Sequence, residues 1–197
     1  MGDIPMSYAK HNPVIAAAMN ETPELFLRGC LFAICSIRQP ITSVPDQLER
    51  VTSGDLSPLF GHKLDAHLYL MNHAAELWRD IRNSRTNANR IAVLCRVPGL
   101  GIVKSAFVLQ LMGYDVACLD SRNVKREGRN PRAFASDGRK STVAFVRKID
   151  RYLAEVEGRA QEYWDLWCQD VANTYNRTAD EISALHMAIV PDNYVPF

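Results

Sequence analysis

The 197-residue chain is poor in several features, and each shortage closes a class of function. It has no apolar run near the roughly 20 residues that a membrane span requires. Its first residues, Met1-Gly2-Asp3-Ile4-Pro5, lack the basic-then-apolar layout of a secretory signal, so the expected location is the cytoplasm rather than a secreted space. The five cysteines, Cys30, Cys35, Cys95, Cys118 and Cys168, are odd in number and form no C-x-x-C. Apolar neighbours such as Ala92-Val93-Leu94 before Cys95 mark them as buried thiols of a reducing compartment, not a disulfide frame. The histidines His11, His62, His67, His73 and His186 include no pair at the i, i+4 spacing of helical zinc enzymes, so no metal is assigned. Strand signals are scarce too: only Tyr114 to Leu119 has the length and character of one, and no solenoid repeat is present.

What remains is an all-α pattern in one domain, 21–197, preceded by an arm, 1–20, expected to be loosely docked. Thr22-Pro23-Glu24 combines an N-cap, a proline at the first helical position and an acid in the first turn. The helix it starts, Leu25 to Ile37, is apolar on nearly every side and therefore central, and Gln39-Pro40 stops it. A short helix follows from Ser43 through Val51. A long amphipathic one runs from about Leu64 to Ile81, with Leu68, Leu70, Met71, Ala75, Leu77 and Trp78 available to the core. Ser141 to Asn173 is aromatic-rich and helical, with Gly158 as a break, and Thr178-Ala179-Asp180-Glu181 is a capping box for a last helix. Phe145, Tyr163, Trp164 and Trp167 fall at helical spacings that assign them to core packing.

The formal net charge of +1 conceals an asymmetry: positions 96 to 151 hold twelve Lys or Arg against five Asp or Glu. A basic middle between acidic flanks suits a protein that grips a polyanion on one side, although scattered solvated charges would give the same count. At the start of that segment stands Arg96-Val97-Pro98-Gly99-Leu100-Gly101-Ile102-Val103-Lys104-Ser105, between two apolar helical stretches spanning about 88–113. Glycine is needed where a corner takes left-handed angles or lets two backbones approach. The amides of Gly99, Gly101 and the residues opening the next helix then point outward at a helix N-terminus, where an anion such as a DNA phosphate is favoured. Such contacts grip backbone without reading sequence.

This helix, Val-Pro-Gly-Leu-Gly corner, small Ser105 and second helix resemble the helix-hairpin-helix DNA glycosylase superfamily, which includes endonuclease III and the adenine-excising mismatch glycosylases. Cys118-Leu119-Asp120-Ser121-Arg122-Asn123-Val124-Lys125-Arg126 is similar to the adenine glycosylases' Leu-Asp-Gly-Asn-Val-Lys-Arg stretch, with one residue inserted after the aspartate. Ile34-Cys35-Ser36-Ile37-Arg38-Gln39-Pro40 resembles the helix end from which the family inserts a glutamine into the DNA stack. The resemblance implies a helix-hairpin-helix glycosylase-like fold acting as a monomer on double-stranded DNA. It makes Asp120 the catalytic carboxylate and gives DNA contacts to Arg38, Gln39, Pro98, Gly99, Leu100, Gly101, Val103, Lys104, Arg122, Lys125 and Arg126. It also leaves room for a monovalent cation on the hairpin carbonyls.

Two departures refine that expectation. Bifunctional members carry a Schiff-base lysine four residues after the first hairpin glycine. Here that place is Val103, and the lysine, Lys104, is one position on. A shift of one helical residue turns a side chain by about 100°, so Lys104 is a second catalytic candidate but is expected on the phosphate side, and lyase chemistry is disfavoured. The family's four-cysteine iron–sulfur loop has no counterpart after Arg126, where only Cys168 occurs, so no cluster is expected. Three functions stay open on these grounds: a monofunctional DNA N-glycosylase, a helix-hairpin-helix DNA-binding protein without catalysis, and a glycosylase-derived enzyme that treats a modified base by another reaction.

Overall fold

The computed structural model describes residues 7–130, 133–134 and 143–195, and these residues are helical with no strand among them. The order is α1 (Ser7–Glu21), α2 (Pro23–Cys35), a 3-10 turn at Ile41–Ser43, α3 (Val44–Thr52), α4 (His62–Asn83), α5 (Asn87–Leu94) and α6 (Ile102–Leu111). After these come α7 (Ser121–Arg126), α8 (Val143–Val156), α9 (Ala160–Tyr175), α10 (Ala179–Ala184) and a 3-10 helix at Leu185–Ile189. The boundaries follow the local chemistry. Thr22 accepts from the Leu25 amide and Thr86 from the Asn89 amide, while Thr178 and Glu181 close a reciprocal capping box. Gly158, at φ +81, separates α8 from α9 where a side chain would be strained. Tyr114 to Leu119 is extended but pairs only through a single bridge between Val116 and Glu157.

α2 is the central rod: Phe26 and the residues from Cys30 to Cys35 are buried, and α1, α3, α4 and α6 pack around it. All five cysteines are free and buried. The first segment departs from expectation. Residues 7–21 are a helix that buries Ile15, Ala18 and Met19, not a loose arm. Polar side chains fasten it at both ends. Asn12 Nδ2 donates to the Gln110 carbonyl at 2.8 Å, and Asn20 Nδ2 to the Met112 carbonyl at 2.9 Å. The Ser7 hydroxyl donates to Asp165 at 2.7 Å, and the Ser183 hydroxyl donates to the Ser7 carbonyl at 3.2 Å.

A second departure concerns α4. Its buried stripe is Ala66, Leu70, Ala74, Leu77 and Ile81, turned toward α2, whereas Leu68 and Met71 are more than half exposed. α4 carries two apolar stripes about 100° apart, and only one can face the core. No helix among the described residues is long and apolar enough to cross a membrane.

Candidate functional site

α5 and α6 meet at a tight corner whose geometry the glycines set. Gly99 has φ +77, and a Cβ there would sit 3.4 Å from that of His62 at the start of α4. The Leu100 amide donates to the Val97 carbonyl at 3.1 Å, and the Leu100 side chain is wholly buried. The Leu100 side chain therefore anchors the corner, which leaves only backbone there to meet an anion. Ser105, also wholly buried, lies 3.3 Å from the Cys95 thiol, so a small side chain lets the two helices close on one another. Gly101 begins α6 with no side-chain cap, and Gly99 is exposed while Ile102, the first residue of the helix, is wholly buried.

Beyond the corner, α6 forms one wall of a cavity of about 480 Å³. Its lining brings together much of what the sequence separates: Arg38 and Gln39 after α2, Val103 and Lys104 on α6, and Asp120 and Arg122 at α7. Pro98, Gly99, Leu100 and Gly101 lie outside it, as do Lys125 and Arg126. The Cys118 thiol donates to the Val103 carbonyl at 3.6 Å, which ties the first turn of α6 to the segment that ends at Asp120.

That segment is fixed from several sides. Tyr152 on α8 donates its hydroxyl proton to the Ala117 carbonyl at 2.8 Å and accepts from the Leu119 amide at 3.0 Å. Gln110 of α6 accepts from the Cys118 amide at 3.2 Å, and Asn123 donates to the Cys118 carbonyl at 2.7 Å. Asp120 itself is half-buried and caps α7: Oδ1 accepts from the amides of Arg122 at 3.0 Å and Asn123 at 2.9 Å. Oδ2 accepts from the Trp167 indole at 2.6 Å. Trp167 is thus half-buried in the cavity wall and holds the carboxylate; Tyr163 and Trp164 are buried core residues that also line the cavity, and Phe145 is buried outside it.

The cations are distributed unevenly. Lys104 turns into the cavity, not away from it: its ammonium donates to the Ser36 hydroxyl at 2.8 Å and lies over the Phe107 ring. Val103 and Lys104, adjacent on α6, both line this space. Arg122 donates to Thr174 at 3.0 Å, and Arg126 is ion-paired with Asp170 at 2.8 Å. Arg96 pairs with Glu76 and Asp80, and Arg129 with Glu127 and Glu155. Glu76, Asp80, Glu155 and Asp170, all from outside the basic segment, thus neutralise part of its excess. Lys125 is exposed, and so is Arg38, which adopts φ +55. Arg132, Arg139 and Lys140 lie outside the described residues.

The spacing of the histidines gives no sign of His186, yet it lines the cavity while only 1% exposed. Its ring packs against Phe32, Phe107, Trp164 and Trp167, with centroids 4.4 to 5.9 Å away. Nδ1 is 3.0 Å from the Ser183 carbonyl. Burial pushes its pKa down to about 4, and the positive charges of His11 and Lys104 act in the same sense. No family model, curated protein or solved structure matches the chain.

Proposed function

We propose that the protein is a base-excision enzyme of double-stranded DNA, a monofunctional N-glycosylase that hydrolyses the glycosidic bond of a nucleotide turned out of the helix. A stacked base is out of reach of any side chain, so the reaction needs a cavity to receive it and an anion facing the sugar as positive charge develops. One observation carries the reading: the Asp120 carboxylate, pinned by the Trp167 indole and two amides, stands in a cavity of about 480 Å³ beside the helix that leaves the glycine corner. That volume is in the range of small-molecule sites. Three donors orient the carboxylate before substrate arrives, so stabilising an oxocarbenium-like sugar requires no reorganisation. The uncapped start of α6, exposed Arg38 and the cavity-facing Lys104 supply the donors and charge for the phosphates on either side of the extruded nucleotide.

The test is a panel of duplexes carrying uracil, alkylated purines, oxidised guanine or mispaired adenine, each followed by alkaline cleavage. At least one should yield abasic sites, and Asp120→Asn should lower the single-turnover rate by about 10³-fold. Asparagine can keep the helix cap through its oxygen but its amide nitrogen cannot accept from the Trp167 indole, so the variant should lose about 1–3 kcal/mol, and a melt confirms that it is folded where the rate is read. An absence of abasic product from every duplex would end this reading. Such a result, with duplex affinity retained, would instead favour DNA binding without excision. The double capping by Oδ1 speaks for that alternative, because a purely structural aspartate would make the same bonds.

A further inference from the structure

His186 is positioned to do more than fill space. A carbonyl oxygen can only accept, so the 3.0 Å contact between Nδ1 and the Ser183 carbonyl places the ring proton on Nδ1. Nε2 is then an acceptor, and no donor among the described residues satisfies it. The ring is nine-tenths buried and more, lines the cavity, and is wedged by four aromatic neighbours that prevent it from turning over. Trp167 links it to the proposed chemistry, since this one indole packs edge-on against the imidazole and donates to Asp120.

We propose that His186 selects the base: its Nε2 accepts a hydrogen bond from an N–H of the extruded base, an exocyclic amine or a ring imide. The cavity therefore takes bases that offer a donor to its floor and rejects those that offer only acceptors or an alkylated nitrogen. This rests on the reading of the cavity as the seat of an extruded base. The aromatic walls of Phe107, Trp164 and Trp167 would take any base by its faces, so they contribute affinity without choice. A buried acceptor left unpaired by the wrong base supplies the choice. Burial keeps the imidazole neutral at pH 7, so the acceptor persists under working conditions.

The experiment uses the whole protein labelled with ¹⁵N-histidine and two pairs of nucleosides that differ in one donor. Deoxyadenosine is set against purine deoxyriboside, and deoxyuridine against 3-methyldeoxyuridine. Two-bond proton–nitrogen spectra at pH 7 should show His186 protonated at Nδ1 alone. Its Nε2 resonance should move with the donor-bearing member of at least one pair, which should bind about tenfold more tightly than its partner. His186→Gln should erase that tenfold preference. Should this variant fail to fold, the wild-type spectra decide alone. A proton on Nε2, equal affinities within both pairs, or an unmoved Nε2 resonance overturns the proposal. Excision of some base with Nε2 unmoved would retire the histidine and leave the glycosylase reading intact. A moving Nε2 resonance without excision from any duplex would sustain the histidine's role and retire excision.

Discussion

The cavity has one wall that is held by short hydrogen bonds from several elements and one lip whose far end, at Gln39, is held by long ones. On the Asp120 side, Tyr152, Gln110, Asn123 and Trp167 each donate or accept a bond of 3.2 Å or less to residues 117 to 120. On the other side, the turn after α2 closes with a Gln39 amide 3.5 Å from the Ser36 carbonyl, and Gln47 reaches Gln39 at the same long distance. Arg38 at its tip sits at φ +55, a conformation that costs a non-glycine residue about 1 kcal/mol. The difference separates two tasks. Under the proposed excision, a group that faces developing charge gains from being immobile, whereas a lip that meets a duplex must give way as the nucleotide enters.

The contrast can be attacked first through acid. The histidine ionises at about 4 in the folded protein and near 6.5 when unfolded. Its contribution is fully present above pH 6.5 and is lost progressively as pH falls toward 4, because only the unfolded chain takes up the proton in that window. The total loss is about 3 kcal/mol, and buried His67, also pushed down by desolvation, adds to it in the same direction. Urea melts at pH 7 and pH 4.5 should show this drop. Equal midpoints would mean that His186 is not buried as described. Next, Tyr152→Phe removes a buried hydroxyl that serves two backbone groups and should destabilise by about 2 kcal/mol, measured by thermal melting. A loss under half of that would make the fixed wall less fixed than its bonds imply.

Two smaller effects sharpen the comparison from either side. Trp167→Phe keeps the aromatic packing but removes the donor to Oδ2, so excision should slow about tenfold while stability changes by less than about 1.5 kcal/mol. An unchanged rate would show that Asp120 needs no such clamp. Arg38→Gly relieves the left-handed residue at the lip and should raise stability by up to about 1 kcal/mol. The same change should weaken duplex binding and flatten its salt slope by about one unit. Stabilisation without weaker binding would place the lip away from DNA.

Much of this architecture is legible in single residues. Thr22 and the Thr178–Glu181 box declare helix starts because a cap needs only local atoms, and Gly158 declares a break for the same reason. The corner at Pro98 to Gly101 and the helix start at Asp120 are equally local. Contacts across the chain leave no such mark. Nothing within a few residues of Trp167 indicates that its indole would meet Asp120, 47 positions away, or that His186 would sit among Phe32 and Phe107. That Lys104 would meet the Ser36 hydroxyl, 68 positions away, was hidden for the same reason. α1 was hidden by its composition: Ala16, Ala17 and Ala18 read as weakly apolar, yet small side chains let this helix lie close on its neighbours.

That first helix has a consequence for how the protein is born. Its anchors at Asp165 and Ser183 are synthesised more than 150 positions after Ser7. At usual elongation rates the nascent helix waits on the order of ten seconds for its seat. During that interval α1 has α2 and α6 to pack on but not yet α9 or α10, so an N-terminal fusion partner that crowds Ser7 should lower the yield of folded protein.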